Sequence, residues 1–167
     1  MQRRLLLVRH AQAADARVDA DRPLTERGER QAAALGAWLD HVGLAPDRVL
    51  VSPARRAAQT WELVGAPLAH TPTPTVEPRI YDNTVEALLA AIRETPDDLA
   101  TLAVVGHNPS IGELAAALDD RQGSPDARHD VDRGFPTGGI AVFDLATPFS
   151  AVGPGAATLS DFTVPGD

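Results

Sequence analysis

Four stretches of the sequence hold residues that could do chemistry together: Arg9-His10, Arg22, Ser52-Pro53-Ala54-Arg55-Arg56-Ala57-Ala58-Gln59-Thr60, and Gly106-His107-Asn108-Pro109. A neutral imidazole can attack phosphorus in line, giving a phosphohistidine that water then hydrolyses. Guanidinium groups neutralise the equatorial oxygens as charge redistributes, and their forked donors match a phosphate edge. The attacking histidine needs the right tautomer, normally held by donating its other ring N–H to an oxygen. Each stretch alone has an ordinary reading. A strand-end histidine is more often structural, Arg56 alone is a solvated helix residue, and Arg22 alone can pair with Asp15, Asp19 or Asp21. The conjunction is what points to phosphate.

These residues must be positioned by the elements around them. Residues 3–9 read as a strand whose apolar run, Leu5 to Val8, predicts burial on both faces. Thr25 predicts the cap of a helix with Ala32, Leu35, Leu39 and Val42 on its inner face and Gly43 as its stop. Residues 48–51 form a second strand, and Ser52-Pro53 reads as an N-cap followed by a first-turn proline. Ala57, Thr60, Trp61 and Val64 share one face of the helix that follows. A proline-rich connection over 67–78 holds a weak strand signal near Val76. Asn83 with Glu86 resembles a capping box, opening a helix with Val85, Leu88, Leu89 and Ile92 inward. Residues 102–105 read as another buried strand. Asn108-Pro109 repeats the cap-then-proline signal before Ile111, Leu114, Ala115 and Leu118. The polar stretch 119–138 reads as a long loop, a candidate flap over a site. Residues 140–145 and 158–164 are the last two strands.

Strands alternating with helices predict an α/β layered domain. Arg9-His10, Ser52 and His107 then fall at the carboxyl ends of strands, where an open parallel sheet binds its ligands. The helix starts after Ser52 and Asn108 add free N–H groups and a positive dipole end, both favourable to an anion. No P-loop or dinucleotide fingerprint is present.

Composition narrows the function classes. A length of 167 residues predicts one domain over 1–167. The absence of cysteine excludes disulfides, thiol catalysis and thiolate metal sites, and fits the cytoplasm. No apolar run is long enough for a membrane span, and Arg9-His10 interrupts the first one too early for a signal peptide. A net charge of −8 argues against nucleic-acid binding, while local arginines keep an anionic substrate open. His10 and His107 lack paired carboxylates at metal-ligand spacing, so neither metal nor cofactor is expected. His41, His70 and His129 lie away from the junctions and read as surface or packing residues.

Taken in order, Arg9-His10, Arg22-Pro23-Leu24-Thr25-Glu26-Arg27-Gly28, the Ser52 to Thr60 stretch and Gly106-His107-Asn108-Pro109 resemble the histidine phosphatase superfamily, the phosphoglycerate mutase-like fold. The short length, the Arg-Pro-Leu-Thr stretch and Phe135-Pro136-Thr137-Gly138-Gly139 are similar to its SixA-type phosphohistidine phosphatases. The resemblance implies a three-layer α-β-α sandwich with a mainly parallel sheet. It implies His10 as nucleophile, Arg9, Arg56 and His107 as its phosphate pocket, and Arg22 and Asn108 as further substrate-binding residues. Arg56 rather than Arg55 matches, because it precedes the Ala-x-x-Thr tail. Two features depart from the pattern. Ala11 replaces the commoner glycine, and no clean match exists for the acid that protonates the leaving group in larger relatives, which leaves Glu77, Asp82 and Asp15 as candidates. A phosphoramidate nitrogen can leave already protonated, so the missing acid favours a phosphorylated protein domain bearing phosphohistidine over a small phosphorylated metabolite. The alternatives are a small-molecule phosphoester phosphatase of the same superfamily and a non-catalytic phosphate-binding regulatory domain.

Overall fold

A computed structural model describes residues 1–166. Its six strands are β1 (Arg3–Arg9), β2 (Arg48–Val51), β3 (Thr75–Val76), β4 (Thr101–Gly106), β5 (Ile140–Leu145) and β6 (Ala157–Thr163). They form one sheet in the order β3-β2-β4-β1-β5-β6. The pairs among β3, β2, β4 and β1 are parallel, and β5 and β6 add an antiparallel edge. The helices are α1 (Glu26–Val42), α2 (Arg55–Gly65), α3 (Val85–Arg93), α4 (Ser110–Leu118) and α5 (Pro125–Asp132). None of them is long and apolar enough to cross a membrane.

The period-2 alternation of the strands builds the three layers. Leu5 and Leu7 face one way with Leu102, Val104 and Phe143, against Leu88, Ile92, Ile111 and Leu114 of α3 and α4. Leu6 and Val8 face the other way with Val49, Val51 and Val105, against Leu35, Leu39, Trp61 and Val64 of α1 and α2. All four residues of the Leu5 to Val8 run are therefore buried, as a two-sided strand requires. At about 1.5–3 kcal/mol for each buried aliphatic side chain, this run resists any register slip.

Helix boundaries follow local chemistry. Thr25 caps α1 by accepting the Gly28 N–H at 3.0 Å, and Gly43 closes it in the left-handed conformation. Gly28 is required by packing, because a Cβ there would lie 2.0 Å from the Gln12 carbonyl oxygen. Several expectations need correction. Val42 is 43% exposed at the last position of α1, next to the Gly43 cap. Ser52 caps nothing in the expected way: α2 begins at Arg55 with Ala54 at its N-cap, and the Ser52 hydroxyl has other partners. Thr84, not Asn83, caps α3, accepting the Ala87 N–H, while Asn83 is itself left-handed and ends the preceding 3-10 turn, Pro78–Asp82. Helix α4 starts at Ser110, and Asn108 reaches it from one position farther out, accepting the Gly112 N–H at 3.1 Å.

The largest departure is in residues 119–138. They contain α5, capped by Ser124 with Pro125 in its first turn, the same cap-then-proline signal that the sequence shows elsewhere. Ala127 and Val131 are buried in the core beside α4 and β6. Two inward residues in eight give too weak a periodicity to stand out among so many polar neighbours.

Candidate active site

β2, β4 and β1 are neighbours, and their carboxyl ends lie side by side. The ladder continues past them: the His10 N–H donates to the Gly106 carbonyl at 3.0 Å, and the Ser52 N–H to the Val105 carbonyl at 3.2 Å. His10, Ser52 and His107 therefore meet at one edge although up to 97 positions separate them. The His10 and His107 rings lie 5.2 Å apart, tilted by 56°. A cavity of about 490 Å³ opens there, and Arg9, His10, Arg22, Arg56, His107 and Asn108 all line it. Arg55 is left exposed on the surface, and so are His41, His70 and His129.

The His10 tautomer is set by its neighbour. Nδ1 stands 2.7 Å from the Ala11 carbonyl oxygen, which can only accept. Nδ1 therefore carries the hydrogen and Nε2 the lone pair. The Ala11 N–H in turn donates to Thr60 Oγ1 at 2.9 Å, and that hydroxyl donates to the Arg56 carbonyl at 2.6 Å. The threonine that ends the Ala-x-x-Thr motif thus ties α2 to the loop that orients His10. Burial, with positive charge from His107, Arg56 and Arg9 adding to it, pushes His10 down to about 3 against the pull of the Ala11 carbonyl. The imidazole is neutral at neutral pH.

His107 Nε2 lies 2.8 Å from Ser52 Oγ, and its Nδ1 lies 3.5 Å from Arg56 Nη2. A guanidinium can only donate, so Nδ1 accepts and Nε2–H faces the serine. Burial first, then the Arg56 charge, lowers His107 to about 4. Arg9 donates through Nη1 to the Phe135 carbonyl at 3.0 Å, and burial lowers its pKa. The Gly138 N–H, on a left-handed backbone, closes the same corner against the Arg9 and His10 carbonyls. The side-chain amide of Asn108 is committed to backbone at both ends, donating to Phe135 at 2.9 Å and accepting from Gly112. It braces the cavity wall.

Several wall residues are not recognisable as site residues in the sequence, although Asp19 stands among the possible partners of Arg22 and does pair with it. Asp19 sits on a 3-10 turn, Asp19–Asp21, and takes hydrogen bonds from Arg56, Arg22 and the Tyr81 hydroxyl. Tyr81 also sets its ring edge-on to His107, with 5.8 Å between centroids. Asn83 donates to the Asn108 carbonyl and accepts the Ser110 N–H, joining the end of the Pro78–Asp82 turn to the start of α4. Of the carboxylates, Asp19 lines the cavity, whereas Glu77, Asp82 and Asp15 do not. Glu77 is instead bound by Arg79 and caps its own turn. Among the described residues, no group of three or more His, Asp or Glu side chains is arranged to hold a metal ion.

Such an arrangement can bind a phosphoryl group among cationic donors and present a neutral imidazole to it. The model of the histidine phosphatase superfamily (branch 1) matches residues 5–124, which include Arg9, His10, Arg22, Arg56, His107 and Asn108. The chain belongs to the histidine phosphatase superfamily. Within this superfamily it is 39% identical over 165 residues to an uncharacterized protein of Mycobacterium tuberculosis, covering 95% of this chain and 99% of that one. It is 36% identical over 119 residues to the phosphohistidine phosphatase SixA of Escherichia coli, covering 68% and 73%. A solved structure from Nakamurella multipartitia, assigned as a phosphohistidine phosphatase SixA, superposes with a TM-score of 0.87 at 32% identity, covering 99% and 97%. These likenesses make the chain a phosphatase of SixA type.

Proposed function

We propose that the chain is one catalytic domain, a cytoplasmic phosphohistidine phosphatase acting on a phosphorylated protein domain. His10 Nε2 attacks phosphorus, and the bond from phosphorus to the substrate imidazole nitrogen breaks as the phosphohistidine on His10 forms. Arg9, Arg22 and Arg56 hold the equatorial oxygens, His107 joins them by taking a proton at Nδ1 when the phosphoryl group binds, and Asn108 keeps the wall in place. Water then attacks the phosphohistidine, releasing orthophosphate and restoring the neutral ring.

The observation that carries this reading is the 2.7 Å contact from His10 Nδ1 to the Ala11 carbonyl, which leaves Nε2 unprotonated on a wall of the arginine-lined cavity. The likeness to SixA supports the substrate class. A second hollow of about 620 Å³ beside the first shares Arg9 and Asn108 and is lined by Phe135 and Phe162.

The test compares phosphate release from a histidine-phosphorylated protein and from a panel of small phosphoesters, for wild type and His10→Ala, with chelator present. The expected result is a strong preference for phosphohistidine that is lost in the variant. Preference for a small ester would keep the mechanism and replace the substrate. Release that survives in His10→Ala would overturn the mechanism.

A further inference from the structure

Asp19 occupies a place that a phosphate oxygen would be expected to use. Its Oδ2 accepts from Arg56 Nη2 at 3.1 Å, the same nitrogen that stands 3.5 Å from His107 Nδ1. Its Oδ1 accepts from Arg22 Nη1 at 3.3 Å, and the Tyr81 hydroxyl donates to Oδ2. The carboxylate thus gathers the donors of two arginines and a phenol on a wall it shares with His10.

Neither arginine depends on that carboxylate for its position. Arg56 Nη1 donates to the Asp19 backbone carbonyl at 2.9 Å, and Arg22 Nε donates to the Ala14 carbonyl at 3.1 Å. Each guanidinium therefore has one donor fixed on backbone and another lent to the carboxylate. The Asp19 side chain is 52% exposed, and its short 3-10 turn buries none of its residues, so rotation into water disrupts no packing.

We propose that Asp19 is a resident carboxylate that competes with phosphate for Arg22 and Arg56, is displaced when the phosphoryl group binds, and returns as orthophosphate leaves. This rests on reading the cavity as a phosphate pocket. A tethered monoanion holds the arginine donors against free carboxylates, whereas a phosphoryl dianion, with more charge and three oxygens, displaces it. Asp19 thereby sets both the selectivity for phosphoryl groups and the ease of product release.

The test is the affinity of orthophosphate for the ligand-free protein, measured by calorimetry on wild type, Asp19→Asn and Asp19→Ala, with thermal melts to establish folding. Both variants keep the backbone carbonyl that fixes Arg56. The expected result is orthophosphate binding tighter by about tenfold or more in both, since a like charge has left the pocket. Unchanged or weaker binding in folded variants would overturn the proposal and leave the phosphatase reading standing. No orthophosphate binding in wild type or variants would remove both. A readout on wild type stands apart from the variants: the ring signals of Tyr81, the one tyrosine in the chain, should shift during an orthophosphate titration followed by NMR. Silence there at saturating phosphate would also overturn the proposal.

Discussion

At the scale of single residues, the site fixes the tautomers of its two histidines without a carboxylate on either ring. His10 is aligned by a backbone carbonyl rather than by a carboxylate, so it gains orientation without an adjacent negative charge that would raise its pKa. We expect 15N NMR at pH 5 to find His10 neutral, with hydrogen on Nδ1. A ring that titrates near 6.5 would contradict the environment described. For His107 the Arg56 guanidinium sets the tautomer, and Ser52 takes the Nε2–H. That serine is completely buried, and Ser52→Ala would leave the Nε2–H of His107 without a partner, at a cost of about 1–3 kcal/mol. Denaturant unfolding should register that loss. Turnover should fall by roughly tenfold or more as His107 loses its alignment, a change of about 1.4 kcal/mol in the barrier. Recovery in Ser52→Thr would tie the effect to the hydroxyl.

At the scale of elements, the motif residues serve as joints. Thr60 ties α2 to the His10 loop, and the Gln59 side chain takes the Leu24 N–H at 2.8 Å, holding the Arg22 loop against the same helix. Gly28 lets α1 approach the Gln12 backbone, and Gly28→Ala would drive a methyl group into a carbonyl oxygen that cannot rotate away. We expect a loss of about 1–3 kcal/mol in stability, read from the midpoint of unfolding. Thr25→Ala, which removes only the cap of the same helix, should cost about 1 kcal/mol. If Gly28→Ala proved the milder of the two, the close packing of α1 on the loop would be in question.

At the scale of the whole molecule, two neutral histidines lie buried beside three arginines. Their folded pKa values, about 3 and about 4, are below the ordinary value of 6.5. The unfolded chain therefore binds more protons between pH 6.5 and 4, and stability falls as pH drops through that window. Relative to neutral pH, the pair removes on the order of 4 kcal/mol by pH 5. Unfolding curves at pH 7 and pH 5 should show this loss, and His107→Gln should reduce it. A pH-independent midpoint would contradict the burial of these rings as neutral species.

Much of this was legible in the sequence because it is written in local patterns. Strand β1 announced itself through four consecutive apolar residues, α1 through Thr25 and Gly43, and the arginine and histidine positions through their places at strand ends. Helix α5 was not legible, since its inner face amounts to Ala127 and Val131 and its stability comes from packing on α4 and β6. By itself the sequence determined the layered alternation, most element boundaries to within a few residues and which histidines and arginines meet at the strand ends. Only the tertiary structure decided which oxygen holds His10, that Ser52 serves His107, and that Asp19, Tyr81 and Asn83 enter the wall. Those contacts join residues that are far apart in the chain or sit on irregular turns. Spacing encodes a helix or a strand, but a meeting of two loops depends on how every layer beneath them has packed.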